Sequence, residues 1–215
     1  MTVQPLLADE QLAALAERMA STSPVPGGGS AAAIAGAMAA ALVEMVARLS
    51  IGRPDLVDAE ALFRQVSEAA TDLRTSLLAA ADEDAAAYAL VVDARRLPRT
   101  TDEEKAARRS AVEGASAQAA QVPLKVAHLA SEVLELAARI TPVGNVHAIS
   151  DAGVAALLAT AALRGADLNV RINLPAIGAD DPLRHTAPAE LDRLEGTART
   201  TGREVLATVA SRMST

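Results

Sequence analysis

The chain has 215 residues, of which 51% are hydrophobic, 1% are aromatic and none is cysteine, and its net charge is −7. This length suits a single domain with a full core, built here from alanine and aliphatic side chains. The absence of cysteine excludes disulfides and thiolate nucleophiles, and the three histidines lack the spacing of metal ligands, so we expect no metal site. With no basic block and almost no aromatic residues, the chain is a poor match to a nucleic-acid-binding protein.

The sequence also gives no indication of a membrane or secretory segment. The longest uncharged apolar run covers residues 31–43, which is shorter than a bilayer span. The N-terminal stretch lacks the basic and apolar regions of a signal peptide. We therefore expect a cytoplasmic protein that contacts no membrane.

Proline and glycine divide the chain into predicted helices. Asp9 is placed to cap a first helix that runs to about Ala20. The loop at 24–29 contains two prolines and three glycines, and Ser30 after it is placed to cap a second helix that runs to about Leu49. The free N–H groups at the start of this second helix would suit an oxygen-rich or anionic ligand.

The middle of the chain predicts two long helices. Residues 55–97 contain neither proline nor glycine, which predicts a helix of about 60 Å at 1.5 Å per residue. Thr101 and Glu104 have the spacing of a capping box, and they open a fourth helix that runs towards Ile140 with a kink at Pro123.

The remaining sequence predicts two further helices. One runs from Asp151 to about Leu174, because its β-branched end has no partner strand elsewhere in the chain. After a loop at 175–187, a final amphipathic helix covers Pro188 to Met213. These elements predict an all-α fold, a multihelical bundle with long central helices, in one domain over residues 1–215.

Small residues recur every four positions in the second predicted helix, at Ala32, Gly36 and Ala40. Such a stripe lets another backbone approach closely, either inside the subunit or across subunits. A helix of about forty residues also leaves an apolar flank that one chain can hardly cover. We therefore expect a homodimer or a dimer of dimers.

Polar residues occur at four places where an alanine-rich helical core does not need them. They lie at residues 27–30, 82–84, 144–145 and 150–151. Asp84 is followed by three alanines, and Tyr88 shares its helix face four residues later. Taken singly, Asp84 also fits a solvated charged turn, and Asp151 fits a carboxylate favoured by a helix N-terminus.

Taken in order, these positions belong to a longer set of motifs. The set comprises PGGGS at 26–30, MV at 45–46, Gly52, Asp82, DA at 84–85, AY at 87–88, RLP at 96–98, EEK at 103–105, VPL at 122–124, GN at 144–145, SD at 150–151, VA at 154–155, GA at 165–166, NV at 169–170 and INL at 172–174. In order and spacing it resembles the cyclodeaminase/cyclohydrolase family of folate enzymes over about residues 10–175. Members of that family are all-helical and form dimers or larger assemblies.

The resemblance implies chemistry on tetrahydrofolate that carries a one-carbon unit. Cyclohydrolases open 5,10-methenyltetrahydrofolate to 10-formyltetrahydrofolate, and cyclodeaminases close 5-formiminotetrahydrofolate to the methenyl compound with release of ammonia. Both reactions need only proton transfers, which a carboxylate supplies, so no metal or redox cofactor is expected. The stand-alone chain and the tract 148–157 favour the cyclohydrolase. The cyclodeaminase and a non-catalytic folate-binding or assembly module remain open as alternatives.

The family's catalytic aspartate corresponds by motif position to Asp84. Asp82 is at most a supporting residue, because positions two apart do not share a helix face. The resemblance makes further residues candidates for substrate binding. These are Gly27, Gly28, Gly29, Ser30 and Asn145 for the pterin or its carbonyl, Tyr88 beside Asp84, Asp151 for the pterin N–H donors, and Lys105 with Arg108 or Arg109 for the glutamate tail. A solvated helix face explains the three basic residues equally well.

Overall fold

The computed structural model describes residues 6–214, which form six α-helices and, within that range, no strand. The helices are α1 (Leu12–Met19), α2 (Gly28–Arg48), α3 (Glu60–Arg96), α4 (Asp102–Ile140), α5 (Ile149–Asn173) and α6 (Pro182–Met213). Short 3-10 turns precede α1, α3 and α5, and another follows α5. The predicted all-α bundle is confirmed, with α3 and α4 as its long helices of 37 and 39 residues.

The core forms around α2, which packs against α3, α5 and α4, while α6 covers α4 and α5. Alanine supplies much of this interior, so the helix axes approach closely. A Cβ at Gly36 would lie 3.0 Å from the Leu77 side chain, and one at Gly165 would lie 3.2 Å from the Ala32 Cβ. The small-residue stripe of α2 therefore serves contacts inside the subunit.

The predicted N-cap of α2, Ser30, is wrong by three residues. The helix begins at Gly28 with Gly27 as its N-cap, and no side chain caps it. Ser30 lies in the first turn and is fully buried, and its hydroxyl oxygen lies 3.0 Å from the Ala81 carbonyl of α3. The hydroxyl thus joins two helices instead of capping its own.

Two other predicted boundaries are also wrong. Asp9 lies in a 3-10 turn, and α1 begins at Leu12 after the N-cap Gln11. The last helix begins at Pro182, because the Asp181 side chain accepts a hydrogen bond from the Leu183 N–H and proline suits the first helical position. Pro188 therefore lies inside α6, where it removes one backbone donor.

The remaining boundaries are close to the predictions. α3 is preceded by a 3-10 turn over Pro54–Ala59, so the predicted helix is regular only from Glu60. The capping box of α4 is confirmed: Thr101 Oγ1 accepts from the Glu104 N–H at 3.2 Å, and Glu104 accepts from the Thr101 N–H at 3.1 Å.

Two segments are long and apolar enough to cross a membrane by length and composition, α2 and Val146–Ala176. In the bundle, 61% of the most apolar window of α2 and 50% of that of the second segment are buried. The apolar character of α2 is thus explained by its place in the core. In the second segment, Val154, Leu157, Leu168 and Ile172 of α5 are exposed.

Candidate active site

A cavity of about 350 Å³ lies at the N-terminus of α2. Its walls come from the loop before α2, one face of α3, the middle of α4 and the C-terminal end of α5. The lining residues are Pro24, Val25, Gly27, Gly28, Gly29, Asp84, Tyr88, Val91, Arg95, Ala119, Asn169, Ile172 and Asn173. Five residues predicted from the sequence are therefore brought together here: the three glycines, Asp84 and Tyr88.

The α3 wall is a single helix face. Asp84, Tyr88, Val91 and Arg95 are spaced four, three and four residues apart, so their side chains line up along the cavity. This face changes from a carboxylate to a guanidinium over about 17 Å of helix. Such a wall suits a long ligand with a cationic part at one end and an anionic part at the other.

Asp84 lies directly against the first turn of α2. The Ser30 hydroxyl donates to Asp84 Oδ2 at 3.0 Å, and the same oxygen of Ser30 lies 3.0 Å from the Ala81 carbonyl. A Cβ at Gly29 would overlap Asp84 Oδ1, so the carboxylate reaches the helix terminus only because residue 29 has no side chain. The sequence PGGGS therefore creates the space that Asp84 occupies.

The surroundings of Asp84 shift its protonation equilibrium. Burial raises the pKa of Asp84 above the ordinary aspartate value, while hydrogen bonds from the Ser30 hydroxyl and the Ser30 backbone N–H act in the opposite direction. Burial is the larger effect. A carboxyl group with a raised pKa is a better proton acceptor and donor near neutral pH, as general acid–base catalysis requires.

Sequence reasoning missed three polar residues of the cavity as members of the site: Arg95, Asn169 and Asn173. The two asparagines face the α3 wall from α5. The sequence could have indicated them, because asparagine is unfavourable for helix formation and two asparagines four residues apart in an apolar helix need a reason. In the sequence analysis this stretch contributes to the helix boundary and to the family motifs, and neither asparagine is given a role in the site.

Asp82 and Asn145 lie outside the cavity. Asp82 accepts a hydrogen bond from the Leu7 backbone N–H at 2.9 Å, so it holds the N-terminal 3-10 turn against α3. Asn145 lies beside the C-terminal end of α2, about 30 Å along that 21-residue helix from Gly28.

The Asn145 side chain is used by the protein itself. Its amide donates to the Leu49 carbonyl at 3.0 Å, and its oxygen accepts from the His147 N–H at 3.0 Å. Its backbone N–H donates to Ser50 Oγ at 2.8 Å. This network joins the end of α2 to the start of α5. Asp151, in the first turn of α5, belongs to the same end of the bundle.

Lys105 lies in a second, adjoining cavity of about 550 Å³ with a strongly basic lining. Its cations are Arg95, Arg99, Lys105, Arg108 and Arg109. Lys105 forms an ion pair with Asp102 at 2.8 Å, and Arg108 donates to the Arg95 carbonyl at 3.1 Å. Because Arg95 lines both cavities, the basic cluster continues directly from the wall that carries Asp84.

The chemistry available in the first cavity is proton transfer and electrostatic stabilisation of a cation. Asp84 supplies a carboxylate beside a helix N-terminus, and the asparagines supply neutral polar groups. Across residues 6–214, three or more His, Asp or Glu side chains are nowhere grouped so that they could hold a metal ion.

Known proteins resemble this chain in both sequence and structure. Methenyltetrahydrofolate cyclohydrolase of Methylorubrum extorquens is 45% identical over 188 residues, which cover 87% of this chain and 88% of that protein. Formimidoyltransferase-cyclodeaminase of Rattus norvegicus is 32% identical over 206 residues, which are 96% of this chain and 38% of the rat protein. This chain therefore spans less than two fifths of the rat protein.

A solved structure and a family profile agree with these relatives. Formiminotetrahydrofolate cyclodeaminase of Thermotoga maritima has the same fold, with a TM-score of 0.85 at 27% identity, covering 95% of this chain and 98% of that one. The sequence profile of the formiminotransferase-cyclodeaminase family matches residues 11–193. That match includes every wall of the Asp84 cavity. The resemblance noted from the motifs is therefore confirmed, and the chain belongs to the formiminotransferase-cyclodeaminase family.

Proposed function

We propose that this protein is a methenyltetrahydrofolate cyclohydrolase, which hydrolyses 5,10-methenyltetrahydrofolate to 10-formyltetrahydrofolate. The observation that carries the proposal is the Asp84 carboxyl group, partly buried in a cavity and held by Ser30 at the N-terminus of α2. The similarity to the Methylorubrum cyclohydrolase, which spans most of both chains, supports the choice of reaction.

Asp84 supplies the proton transfers in this mechanism. The methenyl carbon bridges N5 and N10 of the substrate and carries the charge of an amidinium cation, which the carboxylate stabilises. Asp84 takes one proton from water as the water oxygen bonds to that carbon, and this gives a tetrahedral centre. The bond from carbon to N5 then breaks, N5 receives the proton from Asp84, and the remaining hydroxyl proton leaves to solvent as the N10-formyl group forms.

The two adjoining cavities suggest how the substrate lies. The three glycines at 27–29 expose backbone to the pterin or its carbonyl, and Tyr88 follows Asp84 along the α3 wall. The basic cluster beyond Arg95 suits the carboxylates of the glutamate tail. In this arrangement Lys105 binds the tail, and Asp82, Asn145 and Asp151 contact no substrate bound to the same subunit.

The cyclodeaminase reaction is the second candidate, because the Thermotoga structure and the rat relative carry that activity in their names. There N10 attacks the formimino carbon, and Asp84 moves the N10 proton to the departing nitrogen, which leaves as ammonia. Both reactions use one carboxylate at one place. They differ in whether water or N10 is the nucleophile.

The direct test follows the methenyl absorbance and ammonia together with the purified protein. We expect accelerated loss of the methenyl absorbance and no comparable release of ammonia from 5-formiminotetrahydrofolate. Ammonia release without faster methenyl hydrolysis would assign the cyclodeaminase. A protein that binds tetrahydrofolate and catalyses neither reaction would be the non-catalytic binding module.

We also propose a homodimer or a dimer of dimers, formed through an exposed stripe of α5. Val154, Leu157, Leu168 and Ile172 are 47%, 56%, 68% and 76% exposed and lie on one side of the helix. Their spacing of three, eleven and four residues is that of a helix–helix contact. Replacing Leu168 with glutamate is expected to produce monomers in sedimentation velocity, and an unmodified chain that sediments as a monomer at micromolar concentration would contradict the dimer.

A cytoplasmic location without membrane contact completes the proposal. It is supported by the burial of α2, whose apolar residues are used inside the bundle. Fractionation of the producing cells would test it, and recovery of the protein with the membrane fraction would contradict it.

A further inference from the structure

The C-terminal end of α5 presents two asparagines to the Asp84 cavity. Asn169 and Asn173 are four residues apart, so they lie one above the other on the same helix face. Both are partly buried, and neither takes part in the proton transfers of Asp84. Alanine or leucine at these positions would favour the helix more strongly, so a reason for asparagine must be sought in the cavity.

The orientation of both side-chain amides is fixed by their neighbours. The Asn169 nitrogen Nδ2 donates to the Gly165 carbonyl at 2.8 Å. The Asn173 Nδ2 donates to the Asn169 carbonyl at 2.8 Å and lies 3.3 Å from the Ala119 carbonyl on α4. Carbonyl oxygens only accept hydrogen bonds, so each amide must turn its nitrogen to them.

The carbonyl oxygens of the two amides are consequently left free. Among residues 6–214, no side chain or backbone group donates a hydrogen bond to Asn169 Oδ1 or Asn173 Oδ1. Two fixed acceptors without donors therefore line a cavity whose opposite wall carries a carboxylate. A ligand that offers N–H groups would satisfy both oxygens, and a ligand with only acceptors would be repelled.

The asparagines and the catalytic carboxylate flank the same helix terminus. A Cβ at Gly28 would lie 3.3 Å from Asn169 Nδ2, and one at Gly29 would overlap the Asp84 carboxylate. The first turn of α2 thus lies close to both Asn169 and Asp84. A flat ring seated beside this turn can contact both, with its reacting edge towards Asp84.

We infer that Asn169 and Asn173 select the pterin ring by accepting hydrogen bonds from its 2-amino group and neighbouring ring N–H. The inference rests on the proposed function, since it concerns the substrate of the same site. It moves the recognition of these N–H donors from Asp151, in the first turn of α5, to the C-terminal end of the same helix. Asn169 and Asn173 are specificity-determining residues, and Asp84 alone transfers protons.

The test combines a change in the protein with a change in the substrate. Wild type, Asn169→Ala and Asn173→Ala are assayed with 5,10-methenyltetrahydrofolate and with its analogue that lacks the 2-amino group. With the natural substrate we expect each variant to raise KM about tenfold, the equivalent of one hydrogen bond of roughly 1.4 kcal/mol, with kcat much less affected. With the analogue, at least one variant should have the same KM as wild type, because the 2-amino group that the replaced asparagine binds is absent.

A matched control is available on the same helix. Thr160 also bonds back to a carbonyl four residues earlier, at 2.8 Å, and does not line the cavity. Thr160→Ala should leave KM for both substrates unchanged, and circular dichroism should show all variants folded. The inference would be overturned if both variants raise KM equally for the natural substrate and for the analogue, or if neither variant raises KM for either substrate.

Binding separates this inference from the proposed reaction. Calorimetric titration with tetrahydrofolate needs no turnover, so it measures the asparagine contacts even if the reaction is the cyclodeaminase or neither. The inference would be supported if the variants bind tetrahydrofolate more weakly than wild type does, while at least one variant and wild type bind the analogue without the 2-amino group equally well. Wild type that does not bind tetrahydrofolate would contradict both the inference and the proposed function.

Discussion

The two ends of α2 both carry polar residues in an apolar surrounding, yet they differ in what those residues bind. At the C-terminal end, the Asn145 amide and oxygen are both paired with backbone groups of the protein. At the N-terminal end, Asp84 and two asparagine oxygens border an open cavity, and the asparagine oxygens have no donor within the described residues. At the C-terminal end the polar groups therefore join parts of the fold, and at the N-terminal end they are available to a ligand.

The sequence does not show this difference, so it suggested both ends as parts of one site. A glycine-rich loop and a Gly-Asn break both stand out against an alanine-rich background. Only the hydrogen-bond partners distinguish a junction between helices from a binding surface. Substitutions at the two ends should therefore have different effects, on activity at one end and on stability at the other.

The largest effect is expected at Asp84. Asp84→Asn keeps the hydrogen bond from Ser30 and removes the proton acceptor, so turnover should fall by about 10²–10⁴ while the fold and the assembly persist. Steady-state assay with circular dichroism measures both. Asp82→Asn, which keeps its acceptor for the Leu7 N–H, is the matched control and should stay within a few-fold of wild type. Near-normal turnover in Asp84→Asn would move catalysis to another carboxylate.

A substitution beside Asp84 should have the next largest effect. In Gly29→Ala the new methyl group displaces the Asp84 carboxylate from the α2 terminus. A displacement of a catalytic group by about 1 Å costs about 10²-fold in kcat. Gly114→Ala is the control, since a Cβ there meets no atom within 4 Å, and it should keep full activity. Full activity in Gly29→Ala would show that the contact between Asp84 and the helix terminus is dispensable.

At the opposite end of α2, the effect should appear in stability instead of activity. Asn145→Ala leaves the His147 N–H and the Leu49 carbonyl without their partner, which costs about 1–3 kcal/mol of unfolding free energy. Denaturant unfolding measures this loss, and kcat/KM should change little below the unfolding transition. A large rise in KM without loss of stability would restore Asn145 to the substrate site.

The smallest effect concerns the pH dependence of stability. Because burial raises the pKa of Asp84, the folded state binds its proton more tightly than the unfolded state. The resulting stability is fully present below the unfolded pKa and is lost as the pH rises through the folded pKa. Asp84→Asn should therefore be more stable than wild type at neutral pH, and the difference should shrink on acidification. A variant less stable than wild type at pH 7 would contradict this sign.

Much of the fold could be predicted from the sequence because its boundaries depend on local chemistry. The capping box at Thr101 and the break after Arg96 follow from short-range rules, and both are observed. Pro188 predicts a start of α6 that is wrong, because Asp181 and Pro182 provide a cap and a first helical residue earlier in the chain. Asp9 has the residue type of a cap, but residue type alone does not determine where α1 begins.

The site could be predicted only in part, for a different reason. Asp84 and the glycines are marked by residue type and by order along the chain. The pairing of Gly29 with Asp84, and of Gly28 with Asn169, depends on how three helices cross, which no local pattern encodes. The free oxygens of Asn169 and Asn173 likewise become visible only when the partners of their nitrogens are known.

The central claim is that Asp84, with its raised pKa, transfers protons during methenyl hydrolysis. The most direct measurement is the pH dependence of kcat/KM for loss of the methenyl absorbance, in wild type and in Asp84→Asn. We expect wild type to lose activity on acidification with an apparent pKa above the ordinary aspartate value of about 3.9, and the residual activity of the variant to lack that titration. The same acid limb in both proteins would contradict the account.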